Sequence, residues 1–401
     1  MGPLKIAIAG CGPAGLSAAL LLHRDGHHVT LFERFEAPRP IGSGLMLQPT
    51  GLAVLQELGL TAKILDTSAR IHRLFGLSVP DNRLVLDVHY RALSQHSFGI
   101  GIHRAALFDA LFDAILETGI QIETGRSISG SKFLGKGRSL CFANGADAGP
   151  FDLVVDALGS RSALAPPSGH ALPYGALWVT LRAVDGAGFD PHALEQRYRA
   201  AHTMAGVLPL GQVSAERGRK VAFFWSLRAD RLAAWQDAGL AQWKSAVENL
   251  WPATRPLLDQ ITEPEQLTFA RYAHRTLPRP MQPGLIHIGD AWHSASPQLG
   301  QGANMALLDA YALVLGLRTD GTLDALLKHA IGSRRNHVTL YQMMSAMFTP
   351  AYQSDSNVLP AIRDRIVGPL SRIWPGNWIQ AAMVSGLIGN PLKPLGLKAP
   401  Q

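Results

Sequence analysis

Cysteine is nearly absent: Cys11 and Cys141 are the two thiols in 401 residues, too few for a disulfide framework and not spaced as metal ligands. That scarcity fits a reducing compartment, and a cytoplasmic location is expected. Charge is also thin, at 17% of residues with a formal net charge of +7. No cluster of basic and aromatic residues marks a nucleic-acid surface. The chain lacks H-E-x-x-H, C-x-x-C and G-x-S-x-G patterns, so no metal centre and no serine-hydrolase elbow is expected. Long uncharged runs are few. Residues 6–22 mimic a signal-peptide core, but their glycine spacing argues for a buried strand, turn and helix. Residues 373–392 are broken by Pro375, Gly376, Asn377 and Gly386, which argues against a spanning helix.

What is present is a folding chain of ordinary hydrophobic content, 47%, long enough for two or three structural units. Residues 4–9 read as a strand, Gly10 to Gly15 as a turn, 16–24 as a helix and 27–34 as a second strand, together a βαβ unit. Residues 50–60 have helical spacing. Leu107, Phe108, Leu111, Phe112, Ile115 and Leu116 predict one apolar helix face. Short strands follow from residue 120, ending in a buried-looking run at 151–159. Residues 173–271 change texture to aromatic and β-branched alternation, which predicts an antiparallel sheet. Residues 285–288 return to a short apolar strand, and 303–315 read as a helix. The expected fold is α/β: a Rossmann-like domain from residues 1–70, 100–172 and 272–330, interrupted by a β-rich substrate domain from 71–99 and 173–271. A helical segment, 331–401, completes it.

"GCGPAG" places Gly10, Gly12, Pro13, Ala14 and Gly15 between a strand and a helix. Gly10 permits the tight turn, Gly12 lets backbone approach a pyrophosphate, and Gly15 allows close helix packing. Glu33, followed by Arg34, closes the second strand where an acid accepts hydrogen bonds from an adenosine ribose. Both parts together predict dinucleotide binding. A carboxylate there repels a 2′-phosphate, so the dinucleotide is not a phosphorylated nicotinamide.

With these parts, "HRAALFDAL", "DALGSRS" and "GDAWHSASPQLGQGANMALLDA" resemble the FAD-dependent class A aromatic hydroxylases, the para-hydroxybenzoate hydroxylase family. The match runs in order over most of the first 315 residues. The resemblance implies that the glycine motif holds the ADP half of FAD, that Arg104 contacts the polar linker, and that Asp290 bonds the ribityl chain. It also implies that Pro297 to Gly302, with Gly300, brings backbone to the flavin ring. The helix from Ala303 and Asn304, with Asn304 as its N-cap, would then aim positive potential at the reduced flavin. His293 matches a positional histidine rather than a base. The implied activity is hydroxylation of an aromatic or phenol-like small molecule by O2 through a flavin C4a-hydroperoxide, with NADH or NADPH as reductant. Candidate substrate walls are Trp178, Phe223, Phe224, Trp225 and Pro297, each of which could equally be plain core. No catalytic side chain is assigned, because the chemistry centres on the flavin.

One departure stands out. Where the family places Asp-Gly, this chain has Leu158-Gly159, with Asp156 two residues earlier. Asp156 either stands in for the missing acid or caps the strand end. The difference keeps open a non-hydroxylating FAD oxidoreductase of the same fold, an oxidase or a double-bond reductase. Residues 331–401 carry seven Lys/Arg against two Asp and no catalytic signal. They are expected to be helices packed on the larger domain, or a weak membrane or dimer contact.

Overall fold

The computed structural model describes residues 2–38, 43–212 and 218–400. A six-stranded sheet carries the first layer, in the order Met281–Gln282, Leu285–His287, Leu153–Asp156, Lys5–Ala9, His28–Phe32 and Gln121–Glu123. All its pairs are parallel except the Met281–Gln282 edge. The central strands are apolar on both faces, as a sheet covered by helices requires. The helix Pro13–Arg24 packs on Gly302–Leu317, which in turn packs on Leu323–Tyr352. The first helix starts at Pro13, with Gly12 as N-cap, three residues earlier than the glycine turn suggests, because proline is pre-organised for a first helical position. The helix Arg104–Thr118 buries Leu107, Phe108, Leu111 and Ile115 but leaves Leu116 61% exposed, so the expected apolar face is narrower than its sequence.

The second layer is an eight-stranded sheet. Its order is His293–Ser294, Thr268–Thr276, His170–Arg182, Arg219–Arg228, Thr203–Gln212, Ala193–Arg199, Arg73–Ser78 and Leu84–His89. The pairing is antiparallel throughout, apart from Ala193–Arg199 beside Arg73–Ser78. One face packs under the helix Leu232–Leu250 and its flank, with Phe223, Trp225, Trp243, Trp251 and Leu257 in one cluster. The other face turns toward the first layer, where Phe224, Leu208, Leu210 and Trp178 meet Met46. The C-terminal helices begin at Leu323 rather than residue 331. Among the described residues no helix is long and apolar enough to cross a membrane.

Candidate active site

Three neighbouring strands end in register, Ala9 beside Asp156 beside His287. The turns beginning at Gly10, Ala157 and Ile288 therefore open at one edge of the sheet, the place where parallel α/β sheets bind ligands. The glycines there divide into two kinds. A Cβ on Gly10, whose φ is +103°, would lie 2.8 Å from the Ala157 carbonyl oxygen, and one on Gly15 would lie 2.0 Å from that of Gly10. These two hold the crossover together. A Cβ on Gly12 or on Gly302 would meet nothing within 4 Å. Gly12 caps the helix Pro13–Arg24 and Gly302 opens the helix Gly302–Leu317, so each open glycine stands where main-chain N–H groups are unpaired. The donors and space fit FAD: an anion cradle at Gly12 and positive potential at Gly302 and Ala303 for an electron-rich ring edge.

The acids take three distinct places. Glu33 closes the Gly10 turn, accepting from Cys11 N at 3.1 Å, Arg34 N at 2.8 Å and Phe35 N at 3.2 Å. Burial first, and the Glu33 charge second, push the Cys11 thiol up to about 12, so it stays protonated and inert. Asp290 is exposed in the turn after the strand Leu285–His287, yet the surrounding protein raises its carboxyl above the usual range by desolvation, with His293 and Arg104 pulling the other way. Arg104 is exposed at the start of its own helix, and its charge bears on both Asp290 and Tyr272. Asp156 takes the third place. It is fully buried, accepting from Leu158 N at 3.0 Å, Ser162 Oγ at 2.6 Å and His287 Nδ1 at 2.6 Å. Of the two readings its sequence offered, this geometry is that of a strand-end cap holding the Leu158-Gly159 turn, with Gly159 half-buried beside it.

Asn304 also differs from expectation. The helix begins at Gly302 with Gln301 as N-cap, and Asn304 lies buried inside the first turn. Its side chain accepts from Gln48 N at 2.8 Å and donates to the Gly300 carbonyl at 2.9 Å, tying the turn to the strand Gly44–Leu47 region. Asp309, one turn further, was not foreseen. Its carboxylate accepts from Gly289 N at 3.0 Å, His293 Nε2 at 2.6 Å and Arg334 Nε at 2.9 Å, all buried. Burial alone would raise this acid, but His293 and Arg334 overrule it and hold it low. Arg334 then donates to His337 Nδ1 at 2.9 Å, and His337 Nε2 donates to the Gly386 carbonyl at 3.1 Å. This chain of charges fixes the Gly289-Asp290 turn from behind, and His293 is positional within it.

Of the five wall candidates, Pro297 is exposed and Trp178 half-buried. Phe224 lies behind Trp178, centroids 4.6 Å apart. Phe223 and Trp225 point to the opposite face, into the core under Leu232–Leu250, and are removed from the site by strand alternation. Tyr272 joins instead: Trp178 Nε1 donates to its hydroxyl at 3.0 Å, and burial pushes its phenol up to about 12. The period-two pattern of "FARYAHRT" was its only signal.

Comparison with known proteins follows this geometry. The family model described as an FAD binding domain matches residues 4–140 and 155–338. The chain is 27% identical over 347 residues to 3-amino-4-hydroxybenzoate 2-monooxygenase of Streptomyces cremeus, covering 80% of this chain and 79% of that one. In structure it is similar to Klebsiella pneumoniae HpxO complexed with FAD and uric acid, with a TM-score of 0.82, 20% identity and coverage of 97% and 98%. It is also similar to 2-methyl-3-hydroxypyridine-5-carboxylic acid oxygenase in its tetrameric form, with a TM-score of 0.79, 19% identity and 98% of both chains covered.

Proposed function

From the premise that the chain belongs to the FAD-binding-domain family, we propose that it is an FAD-dependent monooxygenase using NADH or NADPH and O2 to hydroxylate an aromatic or phenol-like small molecule. The observation that carries this reading is that the turns beginning at Gly10, Ala157 and Ile288 open together at one edge of the parallel sheet. Gly300 lies beside Met46, which packs in one cluster with Trp178, so the helix start at Gly302 and Ala303 with Pro297 would face a ring from one side and the bonded Trp178–Tyr272 pair from the other. A flat ring between them meets a helix N-terminus on one edge and an aromatic surface on its far side. FAD supplies the two-electron and oxygen chemistry when bound. The chain's residues do the rest. Gly10, Gly12, Pro13, Ala14 and Gly15 receive the pyrophosphate, Glu33 the ribose and Arg104 the polar linker. Asp290 takes the ribityl hydroxyls, and Gly300 brings main chain to the ring. Arg34 and Gly159 flank the adenosine end.

Tyr272 gives the substrate side a defined polarity. Its oxygen accepts from Trp178, so its own proton is directed away from Trp178 and can donate to a phenolate or carbonyl oxygen in the cleft. The catalytic part of the chain is thereby placement and dryness. The relatives named for aminohydroxybenzoate, hydroxypyridine and urate ligands share ring-borne oxygen with this expected substrate class. The test is anaerobic reduction of the purified yellow protein by NADH or NADPH with a panel of phenols and hydroxylated heterocycles. Faster bleaching with at least one member supports the reading. Uniform bleaching rates, with peroxide as the sole oxygen product across the panel, would favour an oxidase.

A further inference from the structure

Ten of the sixteen exposed large hydrophobic side chains among the described residues lie between 358 and 379. Trp374 is 80% exposed, and Ile362, Ile366, Leu370, Ile373 and Trp378 are each at least 45% exposed. Scattered exposed leucines are ordinary, but a contiguous concentration marks a surface that meets something. The segment is not a loose tail that could turn inward. Arg363 is buried beneath it, donating to the Ala351 carbonyl at 2.7 Å and the Ala200 carbonyl at 3.2 Å. A Cβ on Gly368 would lie 2.4 Å from the Leu84 carbonyl oxygen, so that backbone is seated on the strand Leu84–His89. Residues Arg363–Val367, Gly368–Leu370 and Gly376–Val384 all rest on this strand, and their outward sides therefore share one face.

We propose that this face is a docking surface for an anionic lipid bilayer, lying in the interface without crossing it. The charges select the partner. Asp364, the segment's single acid, pairs with buried Arg363 at 2.7 Å, while Arg365 and Arg372 are exposed among the apolar side chains. A second copy docked face to face would bring these cations together in a low-dielectric contact, with no acid in the segment to offset them. A bilayer supplies anionic headgroups for the arginines, hydrocarbon for the isoleucines and a headgroup layer suited to tryptophan. The underside of Gly376–Val384 buries Ala381 and Val384 in the cluster that holds Phe224 and Trp178. One helix thus separates the lipid face from the aromatic sheet face.

Flotation of the purified chain with vesicles of phosphatidylcholine, with and without phosphatidylglycerol, tests this. The wild type should float with the mixed vesicles and much less with phosphatidylcholine alone. Combined Ile373→Ser and Trp374→Ser should lower the bound fraction about tenfold. Combined Arg365→Glu and Arg372→Glu should abolish the preference for phosphatidylglycerol, with bound FAD unchanged in both variants. Wild-type protein that floats with neither vesicle would overturn the proposal. So would a concentration-dependent dimer in sedimentation velocity that Trp374→Ser converts to monomer, which would assign the face to a second copy.

Discussion

Gly12 and Gly15 stand three residues apart, and the same substitution should affect them oppositely. Gly12→Ala puts a methyl into open space, so the fold should persist while FAD affinity drops at least about tenfold, because the cradle is filled. Gly15→Ala drives a methyl to 2.0 Å from the Gly10 carbonyl oxygen and should lower thermal stability outright. Flavin retained per chain after gel filtration, set beside the melting temperature, separates the two. Asp156 belongs with Gly15: replacing its buried carboxylate by Ala strands Ser162, His287 and the Leu158 N–H, at a cost of about 3 kcal/mol in denaturant unfolding. Tyr272→Phe should instead retain bound flavin, cost about 1 kcal/mol of stability for the Trp178 N–H left without its acceptor, and raise KM for the aromatic substrate about tenfold, the value of one hydrogen bond to a polar ligand.

Between elements, the helix Leu323–Tyr352 braces the Gly289-Asp290 turn through Arg334, which bonds both Asp309 and His337. Burial first, and then the Arg334 charge, lower His337 from its usual 6.5 to about 3, and its Nδ1 is already occupied by Arg334. The folded state keeps this ring neutral, so its contribution is complete above pH 6.5 and is lost as pH falls toward 3. Melting temperatures across that range should fall less steeply for His337→Gln than for wild type, and an unchanged slope would remove His337 from the acid response. Much of this was legible in the sequence where geometry is local. Gly10 to Gly15 and the Asp290 to Gly302 stretch announce their turns by spacing, because Gly10 and Gly300 take a positive φ and Gly15 a close approach that suit glycine alone. Phe223 and Trp225 read equally as wall or core because alternation predicts two faces without saying which one meets the first layer, and they prove to be core. Asn304 was misplaced because a buried asparagine serving Gln48, 256 positions away, looks locally like an N-cap. Asp309 was missed for the same reason: its partners Gly289, His293 and Arg334 are joined by tertiary packing.

At the scale of the whole molecule, two layers meet where Phe224, Leu208, Leu210 and Trp178 pack with Met46. The parallel sheet carries the Gly10 turn and Asp290, the antiparallel sheet carries Trp178 and Tyr272, and the helix Leu323–Tyr352 braces the Gly289-Asp290 turn through Asp309. Leu158 in place of the family's usual acid does not disturb this arrangement, since Asp156 holds its turn from inside. The arrangement has a purpose only if oxygen leaves the cleft on an aromatic ring. The most direct test mixes the FAD-loaded protein, NADH or NADPH, the panel compound that most accelerates flavin reduction, and isotopically heavy O2, followed by mass spectrometry of the product. One heavy oxygen atom per product molecule is the expected result. A product without the label, or heavy hydrogen peroxide with the aromatic compound recovered unchanged, would contradict hydroxylation.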